Sequence, residues 1–295
     1  MIKKEGLFSN IGMTESDRCL HTPGGFAKKN LLYVQEVGRL QSLKPHKCIR
    51  ENLDSYLIML VLEGNGELTV NGVSHSIGAG TCAFIDCMKH YEHISDEVNA
   101  WKLAWVHFNG NIAKSYYDLF MKYNNSNSMF YMDDISELNS IIDELLNKQK
   151  ERNLRAELVC GELLMRLLNT MIENVSDIKT LEDEQMCEIV RDIRETINEK
   201  YLQEDLLNII EEQYKKDIDE LSSIFAHQFG IGIVEYVKNR RFNAAKELLR
   251  FSIKPMEEVA KESGLGNTTN MQKLFEELEG MSAEEYRAKW AQWIR

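Results

Sequence analysis

RRFNAAKELLRFSIKPMEEVAKESGLGNTTNMQKLFEELEGMSAEEYR, residues 240–287, decides the reading of this chain. It opens on a helical run in which small Ala244 and Ala245 permit close packing of a neighbouring helix. Met256, Val259 and Ala260 then step at helical spacing. Gly264 permits a turn, and Asn267 is a good cap for the next helix, whose Met271, Leu274 and Phe275 face inward. Gly280 and Tyr286 close the pattern. The same plan stands once before, where a helix from Asp217 to Phe229 leads to Gly230 and Tyr236. Two helix-turn-helix units joined by one helix are therefore predicted within an all-helical region, 186–295.

Upstream, the charged residues 176–184 form the best linker candidate, and two amphipathic helices precede them at roughly 134–149 and 153–174. Ile135, Leu138, Ile142 and Leu145 step along the first; Leu154, Leu158, Gly161, Met165, Leu168 and Ile172 step along the second. Such a hairpin can pack onto the preceding domain or form a dimer seam, and the spacing leaves both open. Ile112, Tyr116, Leu119 and Tyr123 make a shorter stripe. From about Leu31 to Phe108 the pattern changes to short apolar or alternating runs broken by Gly, Asn and Asp, which reads as an antiparallel sandwich or barrel. Asn71-Gly72 is a strong hairpin signal, since both turn positions want positive φ. The expected domains are 1–130, 131–185 and 186–295.

Composition sets limits. The 295 residues carry 35 Lys+Arg against 47 Asp+Glu, a formal net charge of -12, with 43% hydrophobic residues. That excludes a disordered chain, a collagen-like repeat and a disulfide miniprotein. At first sight it also argues against a nucleic-acid binder, because a polyanion is normally met by a basic surface. The 6 cysteines show no CxxC pair and read as reduced fillers. MIKKEGLFSN lacks a following apolar segment and no window could cross a bilayer, so a soluble cytoplasmic protein without membrane contact is expected. His90, Glu92 and His93 with Cys87 form the densest cluster of ligating residues, without the HxH-plus-carboxylate pattern of a metal cupin. Neither a metal site nor a cofactor is expected, and no catalytic residue is assigned.

Several stretches together resemble the AraC/XylS-type transcriptional regulators with an N-terminal cupin-like sensor domain. They are Tyr33 to Leu40, Ser55 to Gly66, Phe84 to Cys87, His90-Tyr91 and WVHFNG at 105–110, then RRFNAAKELL, PMEEVAKESGL and GMSAEEYR. The resemblance covers nearly the whole chain. It implies an α+β protein: a cupin-like antiparallel β-barrel with a helical hairpin for dimerisation, then an all-α double helix-turn-helix domain that binds double-stranded DNA. It further implies that polar residues on the second helix of each unit reach base edges while basic residues hold phosphates. Those positions are Thr269, Gln272 and Lys273 in the second unit and Ser222 and Ser223 in the first, with Arg240 and Arg241 among the basic candidates. Gln can pair with adenine and Lys with guanine, whereas serines read weakly, so the second unit is the better reader. For a small effector such as a sugar, a lining of aromatic faces and polar tips is expected. Tyr33, Arg39, His46, Arg50, Tyr56, His90 and Trp101 are the candidates, with Trp105 more suited to barrel core.

The departures matter. Where the family commonly has a basic pair, Glu276-Glu277 follows Phe275 and Ala226-His227 follows Phe225, and Asp219 stands on the first reading face. An ungapped alignment puts Asn208, Glu211 and Lys216 where small or aliphatic residues support the first unit. A buried lone carboxylate is costly, so a helix shifted to use Leu207, Ile209 and Ile210 is expected. Residues 186–295 hold sixteen Lys+Arg against twenty-one Asp+Glu. Two readings follow: a ligand-responsive, sequence-specific DNA-binding regulator of the AraC type, or a degenerate module of the same fold with weak or lost DNA binding that acts through protein association or ligand sensing. A cupin enzyme would need a metal triad that the sequence does not supply.

Overall fold

The computed structural model describes residues 14–175 and 181–291. The chain divides into two compact units, Met1–Asp177 and Ile178–Arg295. Of the expected linker, 176–180 lie outside the described residues, while 181–184 belong to a helix of the second unit.

The first unit runs β1 (Thr14–Leu20), α1 (Gly25–Asn30), β2 (Leu32–Ser42), β3 (Lys47–Arg50), β4 (Tyr56–Glu63), β5 (Asn65–Val70), β6 (Val73–Gly78), β7 (Thr81–Asp86), β8 (Tyr91–Ser95), β9 (Lys102–Gly110), α2 (Ala113–Tyr123), β10 (Met129–Tyr131), α3 (Ser136–Gln149) and α4 (Leu154–Val175). The strands form a six-stranded sheet, β1-β2-β9-β4-β7-β10, and a four-stranded sheet, β3-β8-β5-β6, with antiparallel neighbours. Edge strands β1 and β10 lie outside the region from which strands were expected. Asn71 and Gly72 take φ of 54° and 78° between paired Val70 and Val73, the two-residue turn that their sequence asked for.

Strand β4 is a near-continuous apolar run because both its faces are buried. Leu57, Met59 and Val61 point between the sheets, where they pack with Leu68, Ile85, Tyr91 and Trp101. Ile58 and Leu60 point the other way, under α2, α3 and α4. The smaller sheet has one wet face, and β5 accordingly alternates buried Gly66, Leu68 and Val70 with exposed Asn65 and Glu67. A Cβ at Gly66 would collide with the ring of fully buried Trp101, so only glycine fits there.

The helical hairpin packs on the large sheet as well as on itself: Leu138, Ile141, Ile142, Leu145, Leu163, Leu164, Leu167 and Met171 share one core with β2, β4 and β9. Two of the sequence-assigned stripes need rotation. In α2 the buried residues are Ala113, Tyr117 and Phe120, while Ile112 and Leu119 are exposed. In α4 the sheet side is Ala156, Cys160, Leu163, Leu164, Leu167 and Met171, and Leu154, Leu158 and Met165 face outward. α4 is apolar on two faces, and periodicity alone picked the wrong one for half of its positions.

The second unit comprises α5 (Leu181–Lys200), α6 (Leu206–Tyr214), α7 (Ile218–Phe229), α8 (Ile233–Phe251), α9 (Met256–Glu262), α10 (Thr268–Glu279) and α11 (Ala283–Trp290). Helices α6 and α7 are the first helix-turn-helix unit, and α9 and α10 the second. One core gathers Ile193, Ile197, Leu206, Ile210, Leu221, Phe225 and Ile233; the other gathers Phe242, Ala245, Leu249, Val259, Met271, Phe275 and Tyr286. The two units repeat without a gap at fifty residues: caps Asp217 and Asn267, aromatics Phe225 and Phe275, left-handed Gly230 and Gly280, then Tyr236 and Tyr286. Glu211 is not a buried orphan. Its carboxylate accepts from the Ile218 N–H at 2.9 Å, which places negative charge at the start of α7, and Leu206 and Ile210 provide the burial on α6. Asp217 caps α7 by accepting from the Asp219 N–H at 2.8 Å, while Glu220 pairs with Lys216.

Candidate ligand cavity and nucleic-acid interface

Between the sheets lies a cavity of about 280 Å3. Strand pairing places Cys48 opposite His93 and Arg50 opposite Tyr91, so these four share the inner face of the small sheet. The facing wall is Leu57, Met59, Leu103, Trp105 and His107, with Glu36, Leu40 and His46 at the sides. An open groove adjoins it, sharing Glu36, Ile49, Arg50 and His107 and adding Gln35, Glu51, Asn52, Ser55 and His90.

Three histidines line the cavity, and burial keeps them neutral. Desolvation, aided by the nearby positive charge of Arg50, holds His93 down to about 3 and His107 to about 4, and desolvation lowers His46. His46 Nδ1 meets Ser42 Oγ at 3.0 Å and His107 Nδ1 meets Ser55 Oγ at 3.1 Å, whereas His93 Nδ1 has no hydrogen-bond partner. Burial pushes the Cys87 thiol up to about 12, which leaves no thiolate at neutral pH. Among the described residues no three or more His, Cys, Asp or Glu side chains are placed to hold a metal ion.

Of the sequence-assigned ligand residues, His46 and Arg50 line the cavity, and His90 stands at the groove, 3.5 Å from Glu51. The others lie elsewhere. Arg39 points to the outer side of the large sheet, where its guanidinium donates to Asp143 at 2.5 and 2.7 Å and to Asn139 at 2.6 Å on α3. The cause is a bulge between Val34 and Glu36 that inverts the parity of β2, so Val34 and Val37 both face the helices and Arg39 with them. Tyr56 joins Phe84, Phe108 and Tyr117 on that same outer face, at ring-centroid distances of 6.1, 6.0 and 5.5 Å. Trp101 is core over Gly66, and Tyr33 sits beside Asp54, whose charge adds to burial in raising its hydroxyl pKa. Glu36, Tyr91 and His93 line the cavity without having been singled out for it from sequence, and Trp105, a candidate expected rather as barrel core, lines it too. Alternation along Tyr91-Glu92-His93 carried the signal, since residues two apart share a face of a strand.

The second helices present different surfaces. On α7, Ser222 Oγ accepts from the Ile233 N–H at 2.9 Å and Ser223 Oγ donates to the Asp219 carbonyl at 3.0 Å, so both hydroxyls take part in holding the fold. On α10, Gln272 Oε1 accepts from the Ala283 N–H at 2.8 Å and its Nε2 donates to Glu284. Residues 222 and 272 are repeat equivalents, and so are 233 and 283. Each ties its reader helix to the first turn of the helix that follows. Thr269 and Lys273 are exposed on α10, and Lys273 makes no ion pair with a described residue.

The remaining cations are largely engaged. Arg241 donates to the carbonyls of Tyr201 and Gln203 at 2.6 and 2.9 Å, and Arg240 stacks on Tyr201 at 4.6 Å. Lys238 stands 3.6 Å from Glu277 and Lys246 2.6 Å from Glu279, while Arg287 donates to the Lys254 carbonyl at 2.7 Å. Arg241 and Arg287 are thus helix ties. Of the carboxylates after Phe275, Glu277 and Glu279 meet lysines of α8.

Residues 33–168 match the sequence model of the AraC-like ligand binding domain, and residues 216–289 match that of a helix-turn-helix domain. The chain is 24% identical over 244 residues to the Msm operon regulatory protein of Streptococcus mutans, covering 79% of this chain and 84% of that one. Among solved structures, the C-terminal domain of AraT, a response regulator from Geobacillus stearothermophilus, is 26% identical over 36% of this chain and 88% of its own, with a TM-score of 0.34. ToxT from Vibrio cholerae is 12% identical over 95% of this chain and 100% of its own, with a TM-score of 0.30. Among the described residues no helix is long and apolar enough to cross a membrane.

Proposed function

Because the chain belongs to the AraC/XylS type of transcriptional regulator, with an AraC-like ligand-binding domain and a helix-turn-helix domain, we propose that it is a ligand-responsive, sequence-specific DNA-binding protein in which the second helix-turn-helix unit does the reading. The observation that carries this is the exposed pair Thr269 and Lys273 on α10, where the repeat-equivalent positions of α7 hold an acid, Asp219, and Ser223, whose hydroxyl donates to its own helix backbone. Lys273 suits a guanine edge or a phosphate, and Thr269 a base edge or a thymine methyl. Gln272 is assigned instead to holding α11.

The effector site is the barrel cavity, and the effector is a small polar molecule such as a sugar. Residues 1–130 sense it, 131–185 carry the dimer contact, and 186–295 bind DNA in the cytoplasm, as an operon regulator requires. Leu154, Leu158 and Met165, exposed in a row on α4, are the surface offered for dimerisation. A dimer compensates for a weak reader, because linking two half-site contacts raises the effective concentration of the second.

A second reading, a module of this fold that has lost productive DNA contact, is favoured by one observation: Lys216, Lys238 and Lys246 already pair with carboxylates. Fluorescence titration of the full-length protein against DNA selected from a random library separates the two. The first reading predicts binding at low salt that Lys273→Ala weakens; an absence of binding at every salt concentration below physiological selects the second.

A further inference from the structure

The charges around the barrel cavity do not balance. Arg18 stands 3.7 Å from Glu36, and Lys47 stands 2.8 Å from Glu92. The three histidines of the lining are neutral at physiological pH, as their lowered pKa values require. Arg50 alone is left: it lines both the cavity and the groove beside it and forms no ion pair with a described residue. The cavity lining therefore holds one guanidinium without a carboxylate partner, at its junction with a groove whose own carboxylate, Glu51, stands 3.5 Å from His90.

The rest of the lining is suited to hydroxyl groups and a ring face. His46 and His107 each keep a second ring nitrogen beyond their serine contacts, His93 Nδ1 has no hydrogen-bond partner, and Trp105 on the opposite wall supplies aromatic surface of the kind that packs against the C–H side of a sugar ring. A volume of about 280 Å3 falls at the small end of the ~300–1,000 Å3 typical of ligand pockets, which suits a single sugar-sized ring. On the reading of this cavity as the effector site, we propose that the effector is a polyhydroxylated monocarboxylic acid of the sugar-acid class, with Arg50 holding its carboxylate and Trp105 its ring. Arg50 is the residue that separates acid from neutral sugar, because a guanidinium pairs two N–H groups with one carboxylate and finds no such partner on a neutral hexose.

Calorimetric titration of the full-length protein tests this with D-glucuronate, D-galacturonate and D-gluconate against D-glucose, D-galactose and sorbitol. At least one acid is expected to bind, and to bind more tightly than its neutral counterpart. Arg50→Gln is expected to weaken the acid by roughly 10–100-fold, the loss typical of a hydrogen bond to a charged group, while leaving neutral sugars unchanged. Arg50→Lys, which keeps the charge, should recover part of the loss, and a thermal melt of Arg50→Gln that matches wild type shows that this variant is folded. Equal affinity for neutral sugars, unaffected by Arg50→Gln, overturns the acid assignment and leaves the cavity as an effector site. Binding by none of the six overturns the assignment too. In that case, an unchanged affinity for selected DNA when all six are present together also counts against sensing of sugar-like molecules by the barrel.

Discussion

Replacing Gln272 by Ala removes a side chain that stands at a base-reading position of the family's pattern but is committed to its own fold in this chain. Its Oε1 accepts from the Ala283 N–H at 2.8 Å, and its Nε2 reaches Glu284. Ala283 is fully buried at the first turn of α11, where a capping box satisfies the N–H groups of Ser282 and Glu285 but not that of Ala283. Truncation leaves that one amide unsatisfied, and a lost partner at a partly buried donor costs about 1–3 kcal/mol. The exposed Nε2–Glu284 contact adds little. A loss of about 1 kcal/mol lowers the melting temperature by roughly 4–8 °C for a unit near 100 residues in size. Ser222→Ala, the repeat equivalent, should do the same to α8 through the Ile233 N–H. The assay is a thermal melt beside a DNA titration at constant salt. Gln272→Ala should lower stability while changing discrimination among DNA sequences far less than Lys273→Ala does. A variant of unchanged stability that loses tenfold or more in specific affinity would refute it and return Gln272 to the bases.

Glu276→Lys should tighten DNA binding and steepen its salt dependence, with a log–log slope more negative by about 0.9 if the new cation meets one phosphate; an unchanged slope means that α10 does not lie along the backbone there. Acid should destabilise the barrel through His93 and His107. Their folded pKa values of about 3 and 4 lie below the unfolded value near 6.5, so the unfolded state binds more protons between them and stability falls as pH drops from 6.5 toward 4, by up to ~1.4 kcal/mol per pH unit for each. Melts of wild type and His93→Gln across pH 5–8 check this, the variant giving the flatter profile. Arg39→Ala should leave effector binding intact and destabilise the unit by no more than about 1 kcal/mol, because its partner Asp143 is 46% exposed; loss of effector binding without loss of stability would show that Arg39 acts in the cavity.

Architecture was the legible part. Period-two runs with an Asn-Gly turn marked the barrel, and a repeated helix-turn-helix plan ending in Phe, Gly and Tyr marked the reader domain. The choice of face was not legible where an element is apolar on both sides. β4 buries both faces, so nothing local says that Tyr56 turns toward the helices while Leu57 turns inward. In β2 a single bulge inverts parity and sends Arg39 to α3. α4 shows the same ambiguity in a helix: Leu158 and Met165 fit a stripe as well as Leu164 and Leu167 do. In the reader, residue types at the family's positions suggested base contacts, yet Ser222 and Gln272 hold the next helix. Their common spacing to Ile233 and Ala283 was available in the sequence, but a hydrogen bond from side chain to backbone leaves no compositional trace. The acidity was visible as a number, whereas its placement was not: Glu277 and Glu279 meet Lys238 and Lys246 of α8, which both neutralises the acids and occupies cations that phosphates would need.

On the proposed function, this acidic chain reads DNA through its second helix-turn-helix unit. Selection of bound sequences from a random DNA library by the full-length protein at low salt measures it directly. An enriched motif is expected, with binding that weakens on Lys273→Ala and survives Ser223→Ala. A library that yields no enriched sequence, or a motif indifferent to Lys273, would contradict it.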